Sequence, residues 1–394
     1  MNGLVLTLSA RRLVAPLALL GVGIAAAAYG LATAPERTWP NLLLDGFYVI
    51  SLGVAAIFFL ATQRLAGARW SVGLRRIPEA FMLAMPVAAP LMLALFFGRH
   101  QLYPWSRPGA FAHVPAIAGK VRYLQPPFVA GRTLLVLAVW ALFAWLFRSA
   151  SLEQDGDPTQ NLRHHRRLGR YAALFVPLFA LTFTCSAYDW VLSLDPDWFS
   201  TMFAVYVFAG TFVQGIAAIT LAALLLRGRG YLGEWLLPRH LHDLGKMLFA
   251  FTTFWAYLWT CQYLLIWYGN IPEEVTHYVR RTSAPWLSLF LLNPLVNWIV
   301  PFATLLSARA KRRPRVVGAI CVLLLAGHWL DLYLLIMPAL WPAPRLGPLE
   351  LGIAAGHGAL VYLAVVFALS RAPLIPFNDP VLVDQRLNQA GAHS

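Results

Sequence analysis

Apolar residues along this chain come in long unbroken runs rather than in alternation with polar ones. Ten such runs recur, at roughly 13–32, 41–62, 79–98, 129–149, 170–191, 199–226, 242–268, 285–307, 316–340 and 349–370. A helix rises 1.5 Å per residue, so about twenty apolar residues cross the hydrocarbon core of a bilayer. Strands of a membrane barrel would be about half as long and would alternate in polarity. The pattern therefore predicts an all-α polytopic membrane protein of about ten transmembrane helices, called spans 1–10 here, in a single transmembrane domain over 1–371. Neither of the two longest polar connections, 99–128 and 150–169, has the length of a separate domain. The first is aromatic and proline-rich (Tyr103, Trp105, Phe111, Tyr123, Phe128) and suits a cap over the bundle or a docking surface. The second is polar and predicts a mobile loop. Residues 372–394, with Pro373, Pro376 and Pro380, form a tail suited to lying against a partner.

Composition agrees with this pattern. Only 12% of the 394 residues are charged, against about 25% in soluble domains. The net charge of +14 raises the question of nucleic acid, but its distribution answers it. Arginine and lysine fill alternate connections: Arg64, Arg69, Arg75 and Arg76; Arg163, Arg166, Arg167 and Arg170; Arg309, Lys311, Arg312, Arg313 and Arg315. The connection between spans 5 and 6 has none. This is the positive-inside asymmetry of a membrane protein with both termini cytoplasmic, supplemented by attraction to anionic lipid headgroups. No nucleic acid is needed to explain it. Arg11 and Arg12 ahead of an apolar run, with Ala32-Thr33-Ala34 after it, imitate a signal peptide. The run is long for one and Pro35 would follow the cut, so an uncleaved first span is expected.

Soluble chemistry has no place to sit. Cys185, Cys261 and Cys321 fall inside spans and form no C-x-x-C pair, so the chain has no haem c or iron–sulfur ligand set. Nucleotide-binding, zincin and nucleophile-elbow motifs are absent. No catalytic or metal-binding residue is assigned. What remains are polar side chains within the spans, each costing a few kcal/mol to insert and each a functional candidate. Asp45, Asp189, Gln262, His328, Asp331 and His357 fall in the outer half of the membrane. Glu79, His242, Asp243 and Lys246 fall near the inner face. Carboxylates and imidazoles at opposite faces read as two half-pathways for protons. The competing reading is structural: buried acids bonding neighbouring helices, with His242, Asp243 and Lys246 solvated at the interface. A haem held by His328 and His357 is disfavoured, because their depths differ by about 6 Å. Trp190, Trp198, Trp267, Tyr268 and Trp341 at span ends read as an interfacial belt. Spans 2–5 set against spans 6–9 place Asp189 and Asp331 in corresponding helices, as in a parallel repeat.

Three segments go further: YDWVLSLDPDWFSTMFAVYVFAG (188–210), HDLGKMLFAFTTFWAYLWTCQYLLIWYGNIPEE (242–274) and GHWLDLYLLIMP (327–338). Together they resemble the second of the two large membrane subunits of bacterial alternative complex III, the one labelled its second quinone-binding subunit. That complex is a quinol:cytochrome c (or other acceptor) oxidoreductase of respiratory or photosynthetic electron transport, and the subunit lies within the wider NrfD/polysulfide-reductase-like membrane family. The resemblance implies two four-helix bundles, spans 2–5 (about 41–191) and spans 6–9 (about 199–340), with spans 1 and 10 flanking them. It implies a bacterial inner-membrane location and three kinds of partner: a homologous membrane subunit, a periplasmic iron–sulfur subunit and cytochrome c subunits. Haem and iron–sulfur clusters would belong to those partners. This chain would carry no such cofactor and would conduct protons, while quinol is oxidised at the sister subunit, although quinol binding here stays open. The matched motif residues are Asp189, Asp195, Trp198, His242, Asp243, Lys246, Gln262, Glu273, Glu274, His328 and Asp331. Asp195-Pro196 reads as the turn between spans 5 and 6, or as the cap of span 6 near Trp198. Glu273 and Glu274 lie outside, solvated or meeting a periplasmic partner. Two alternatives stay open. One is a proton-coupled secondary transporter using the same acids, against which the long helices speak, Asn293-Pro294 in span 8 being the one conspicuous break. The other is a subunit that itself oxidises quinol.

Overall fold

A computed structural model describes residues 5–109, 120–233 and 235–384 of the chain. Phe111 of the expected aromatic cap, and the tail beyond 384, lie outside the described residues. Among those described, nine helices are long and apolar enough to cross a membrane: Ala10–Thr33, Pro35–Leu65, Val72–Leu102, Pro126–Gly156, Asn161–Leu194, Phe203–Gly228, Ala284–Leu305, Pro314–Leu340 and Pro348–Ser370. They are spans 1–6 and 8–10. Span 7 is the 32-residue helix Pro238–Gly269. It has the length to cross, but its threonines, tryptophans, tyrosines and Gln262 hold its mean hydropathy below that of the other nine.

Local chemistry sets the ends of the helices. Spans 2, 4, 7, 9 and 10 each begin on a proline, Pro35, Pro126, Pro238, Pro314 and Pro348. Proline costs nothing there, because the first N–H groups of a helix have no internal acceptor. Span 7 ends where Asn270 turns left-handed at φ 47°. Span 3 is not smooth: it tightens at Met82–Ala84 and Leu95–Gly98, on either side of a segment holding Pro86 and Pro90. Span 8 widens into a π turn at Leu295–Ile299, just after Pro294.

Spans 2, 3, 4 and 5 close into one ring of four, each packing on the next, and spans 6, 7, 8 and 9 close into a second. The rings meet mainly along spans 2, 5 and 6. There a Cβ on Gly215 would stand 2.4 Å from that of Ala55, so the backbones approach closely. Span 2 is the innermost helix, with 83% of its most apolar stretch buried, whereas span 1 has only 11% buried and faces outward. Span 10 leans on spans 2 and 3, and span 1 leans on span 10. The last contact is glycine on glycine: a Cβ at Gly23 would sit 2.4 Å from the Cα of Gly356. Small residues at such crossings are how helices associate in lipid, where no hydrophobic gain drives them together. The helices therefore divide as one, four, four and one.

The connections differ from expectation in four places. The stretch 150–169 is almost wholly helical rather than a loop. Span 4 runs to Gly156 and span 5 starts at Asn161, with the corner held by Asp157 accepting from the Thr159 N–H at 3.0 Å. Span 6 starts at Phe203, not at 199. A short amphipathic helix, Pro272–Thr282, lies between spans 7 and 8. The tail folds back on its own chain, with Leu374, Ile375, Asp379 and Leu382 buried. The aromatic belt is also smaller than expected. Trp267 and Tyr268 are exposed, but Trp190, Trp198 and Trp341 are buried inside the protein. Alternate connections put all the arginine-rich turns at one end of the molecule, called the basic end below.

Candidate functional site

The deepest polar group is in the core of the second bundle. Asp331 of span 9 is 3% exposed and sits nine residues, about 14 Å, from the non-basic end of its helix. Its carboxylate accepts from three neutral donors on three other spans: the Tyr206 hydroxyl, the Trp255 indole at 3.1 Å and the Asn293 amide at 2.7 Å. Asn297 completes the group, donating to the Asn293 oxygen at 2.7 Å and to the Gly327 carbonyl at 2.9 Å. The π turn after Pro294 is the local cause, because it begins between these two asparagines and both face inward. Gly327 has no room for a side chain, since a Cβ there would meet the Asn297 oxygen at 2.3 Å. His328 lies beside the group, 1% exposed, its ring edge-on to Trp255 at 5.6 Å.

From Asp331 a small cavity of about 30 Å³ leads toward the non-basic end, enough for one or two waters. Gln262, Tyr206, His277 and Arg281 share its wall. Arg281 is buried because span 9 needs it. Pro338 has no N–H for the Leu334 carbonyl, and Arg281 supplies one at 2.8 Å, with a second donation to Leu335 at 2.9 Å. His277, one turn earlier on the same helix, stacks flat on Trp198 at 3.8 Å between ring centres. Its Nδ1 is 3.9 Å from the Asp195 carboxylate, beyond hydrogen-bond reach, and Arg280 pairs with that carboxylate at 3.1 Å. Burial, together with the Arg281 charge, pushes the His277 imidazole down to about 3, so it is neutral at physiological pH. Burial works against the charge of Asp195, but the Arg280 and Arg281 guanidiniums hold it below the ordinary carboxylate range. Asp195, His277, the cavity and Asp331 thus stand in a row from the end of the bundle to its core, and carboxyl and imidazole groups are of the kind that can exchange protons. Asp195 does not cap span 6, whose N-cap is Met202; it anchors the short helix instead. Gln262 donates to Ser200 at 3.1 Å. Glu273 is exposed and Glu274 half-buried, and it is the Glu274 backbone carbonyl that takes part, accepting from Trp198 at 3.1 Å.

The other expected members of the outer group stand elsewhere. Asp189 is held by a two-pronged pair with Arg132, at 2.7 and 2.9 Å, in the first bundle. That guanidinium lies over Tyr123 at 3.8 Å and Phe128 at 4.4 Å. Asp45 of span 2 accepts from the Trp329 indole at 2.8 Å and lies 4.0 Å from His357 of span 10. Trp329 and Asp331 are two residues apart on one helix, so they point to opposite sides of it. The outer cluster is thus three separate sites. The inner cluster also divides. Glu79 is enclosed by Arg75 at 3.3 Å, Arg76 at 2.6 Å and Arg148 at 3.2 Å, and takes the Ser151 hydroxyl. Asp243 pairs with Lys246 at 2.7 Å on the other bundle, where Lys246 is exposed and His242 half-buried. At the basic end the tail's Asp379 is fully buried against Arg75 at 2.6 Å, and Asp155 of span 4 pairs with Arg76.

Sequence reasoning missed Tyr206, Trp255, His277, Arg281, Asn293, Asn297 and Asp379. The signal for the asparagines was present, two amides four residues apart in an apolar run. His277 and Arg281 had the same spacing in a segment read as a loop. Compared with protein-family models and with curated proteins, the chain matches none.

Proposed function

We propose that this chain is an integral membrane subunit of a quinol:cytochrome c (or other acceptor) oxidoreductase of the alternative complex III kind, and that its own part is to move protons. One observation carries the reading. The three segments that bear the resemblance are far apart in sequence, yet each contributes to the Asp331 row. Asp195, Trp198 and Tyr206 come from the first, Trp255 and Gln262 from the second, and His328 and Asp331 from the third. The division of the helices as one, four, four and one supports it as well. In this reading the basic end and both termini face the bacterial cytoplasm, and protons pass between Asp331 and the periplasm through His277 and Asp195. A homologous membrane subunit, an iron–sulfur subunit and cytochrome c subunits supply the electron carriers.

Affinity isolation of the tagged chain from its native membranes tests the complex. Co-isolated haem and iron–sulfur subunits are expected, and a chain that comes out alone overturns the reading. Within the complex, Asp331→Asn should lower the protons released per quinol oxidised in liposomes. An unchanged ratio with normal assembly would remove Asp331 from the proton route. One feature favours a secondary transporter as the second reading: the π turn at Leu295–Ile299 breaks span 8 beside the buried acid. Isolation without partners, together with proton flux by the chain alone, would select it.

A further inference from the structure

A cleft of about 300 Å³ opens between spans 2, 6, 9 and 10, at the lower limit of ligand sites. Its wall along span 10 runs from His357 to Leu369, twelve residues, or about 18 Å. That is little more than one leaflet of a bilayer whose hydrocarbon core is about 30 Å thick. Leucine, valine and alanine make most of the wall. Leu225, 53% exposed, and the exposed Gly358 stand on its rim, so the cleft opens sideways toward lipid. Asp45, Tyr48, Trp329 and His357 stand at the deep end, yet none offers a group to an occupant. The Tyr48 hydroxyl is spent on the Leu325 carbonyl at 2.9 Å, and the Trp329 indole on Asp45 at 2.8 Å. His357 turns Nδ1 to the Ile353 carbonyl at 2.9 Å. Asp45 Oδ2 and His357 Nε2 have no hydrogen-bond partner among the described residues, but each exposes less than 1 Å². What the slot presents is hydrocarbon.

The basic end of the cleft is cationic. Arg229 lines it, one residue beyond span 6, and Leu6, 4% exposed, closes its floor. Thr7 pins the segment ahead of span 1 there, its hydroxyl 3.0 Å from that of Tyr231. Arg12 of span 1 comes to the same corner, for its charge and that of Arg229 both act on the Tyr231 hydroxyl. Both arginines are exposed, and neither has a carboxylate partner among the described residues. Two unpaired cations at the mouth of an apolar slot one leaflet long match a phosphate joined to an acyl chain. A neutral polar ligand would find no hydrogen-bond partner in the slot. We propose that this cleft is a specific site for an anionic phospholipid, its phosphate held by Arg12, Arg229 and the Tyr231 hydroxyl and one acyl chain lying along span 10 as far as His357. The chain then touches both bundles and span 10 at once and fills the gap that their side chains leave. The second chain stays in the bilayer. The site needs neither the Asp331 row nor the complex.

The test takes the full chain, stripped of lipid in detergent, and offers it equal amounts of phosphatidylglycerol and phosphatidylcholine with the same acyl chains. Native mass spectrometry counts what is retained. One phosphatidylglycerol per chain, in preference to phosphatidylcholine, is expected. Arg12→Ser with Arg229→Ser should weaken its retention about thirtyfold, the product of about fivefold for each arginine at the surface, and bring the two lipids level. Arg166→Ser with Arg170→Ser removes the same charge from exposed positions of span 5 and should change nothing. Gly358→Leu should lower retention of both lipids. A Cβ there meets nothing within 4 Å, so the variant keeps its fold, and Gly21→Leu on span 1, equally unobstructed, is its control. Equal retention of the two lipids by the native chain would show an acyl groove without headgroup recognition and overturn the proposal. An equal loss on removing Arg166 and Arg170 would show diffuse attraction to the basic end and overturn it too. Full retention by Gly358→Leu would leave a headgroup contact with no chain in the cleft, and overturns it as well.

Discussion

Replacing Asp379 by asparagine should release the C-terminal tail from the basic end. The carboxylate is fully buried and carries most of the polar contact that docks the tail. Its Oδ2 lies 2.6 Å from Arg75 and 3.9 Å from Arg64, while Oδ1 is 3.8 Å from the His165 ring and accepts from the Val381 N–H at 3.0 Å. Burial alone would raise the acid. His165, Arg75, the Val381 N–H and Arg64 outweigh it and hold Asp379 at about 2, against 3.8 when free. A docked acid that binds protons less well than the free one favours docking at every pH above about 4 and loses that contribution as pH falls from 4 toward 2. At 1.36 kcal/mol for each tenfold change in proton affinity, the contribution is about 2 kcal/mol. Asparagine keeps the acceptor for Val381 and loses the charge. Hydrogen exchange at the Leu382 and Val383 amides, which donate to the Asp379 carbonyl at 3.0 and 3.1 Å, reports docking. At pH 7, after correction for intrinsic rates, native protection should exceed that of Asp379→Asn by about thirtyfold. The native advantage should shrink to about fourfold near pH 2.5, because the variant has no acid to titrate and serves as the control for every other carboxylate nearby. Equal protection at pH 7, or a native tail that keeps its protection at pH 2.5, would refute the reasoning.

Asp331→Leu strands the donors of Tyr206, Trp255 and Asn293, at about 1–3 kcal/mol each, whereas Asp331→Asn keeps one acceptor oxygen for two of them. The unfolding midpoint in detergent should fall about three times as far for leucine, and equal falls would contradict the hydrogen-bond assignment. His277 is pushed to about 3 by burial and by Arg281, from 6.5 when free. Its share of stability is therefore complete above pH 6.5 and declines as pH drops toward 3; His277→Gln should flatten the unfolding midpoint between pH 7 and 4, and a profile unchanged by the substitution would exclude it. Gly356→Leu should force span 1 away from span 10. A disulfide between Ala26→Cys and Gly352→Cys, close neighbours in the native packing, should form readily alone and fail to form with Gly356→Leu present.

The helices were legible in the sequence because the bilayer enforces length and polarity on each span separately, whereas their grouping was expected from the resemblance. Each expected boundary lies within a turn or two of the observed one for most spans, and proline marks five of the starts. What each polar side chain touches was not legible, for a geometric reason. A helix turns ~100° per residue, so depth alone cannot say that Trp329 faces Asp45 while Asp331 faces the other bundle. Counting only ionisable residues also hid half of the site: Tyr206, Trp255, Asn293 and Asn297 are neutral and hold Asp331. The tail was opaque because its partners, Arg64, Arg75 and His165, lie more than two hundred residues away, and the arginines among them already have a sufficient reason to be there as topology signals.

The two bundles treat their buried acids differently, and that difference bears on function more than the count of acids does. In the first bundle two of the three are matched by guanidinium, Asp189 by Arg132 and Glu79 by Arg75, Arg76 and Arg148, while Asp45 turns to the neutral Trp329 indole of span 9. Such sets are charge-compensated and closed, which suits them to fixing helices in place. In the second bundle Asp331 is held by neutral donors, with no cation hydrogen-bonded to it among the described residues, and it borders a cavity of water size. Changing its protonation alters the charge of the site without breaking an ion pair, and a water can deliver the proton. If the bundles descend from one repeat, Asp189 and Glu79 of the first are spent on structure, and Asp331 of the second stays free for the exchange proposed above. Transplanting the compensation tests this: Asn293→Arg would place a guanidinium on Asp331, and proton release per turnover should fall toward the level of Asp331→Asn while the bundle stays folded.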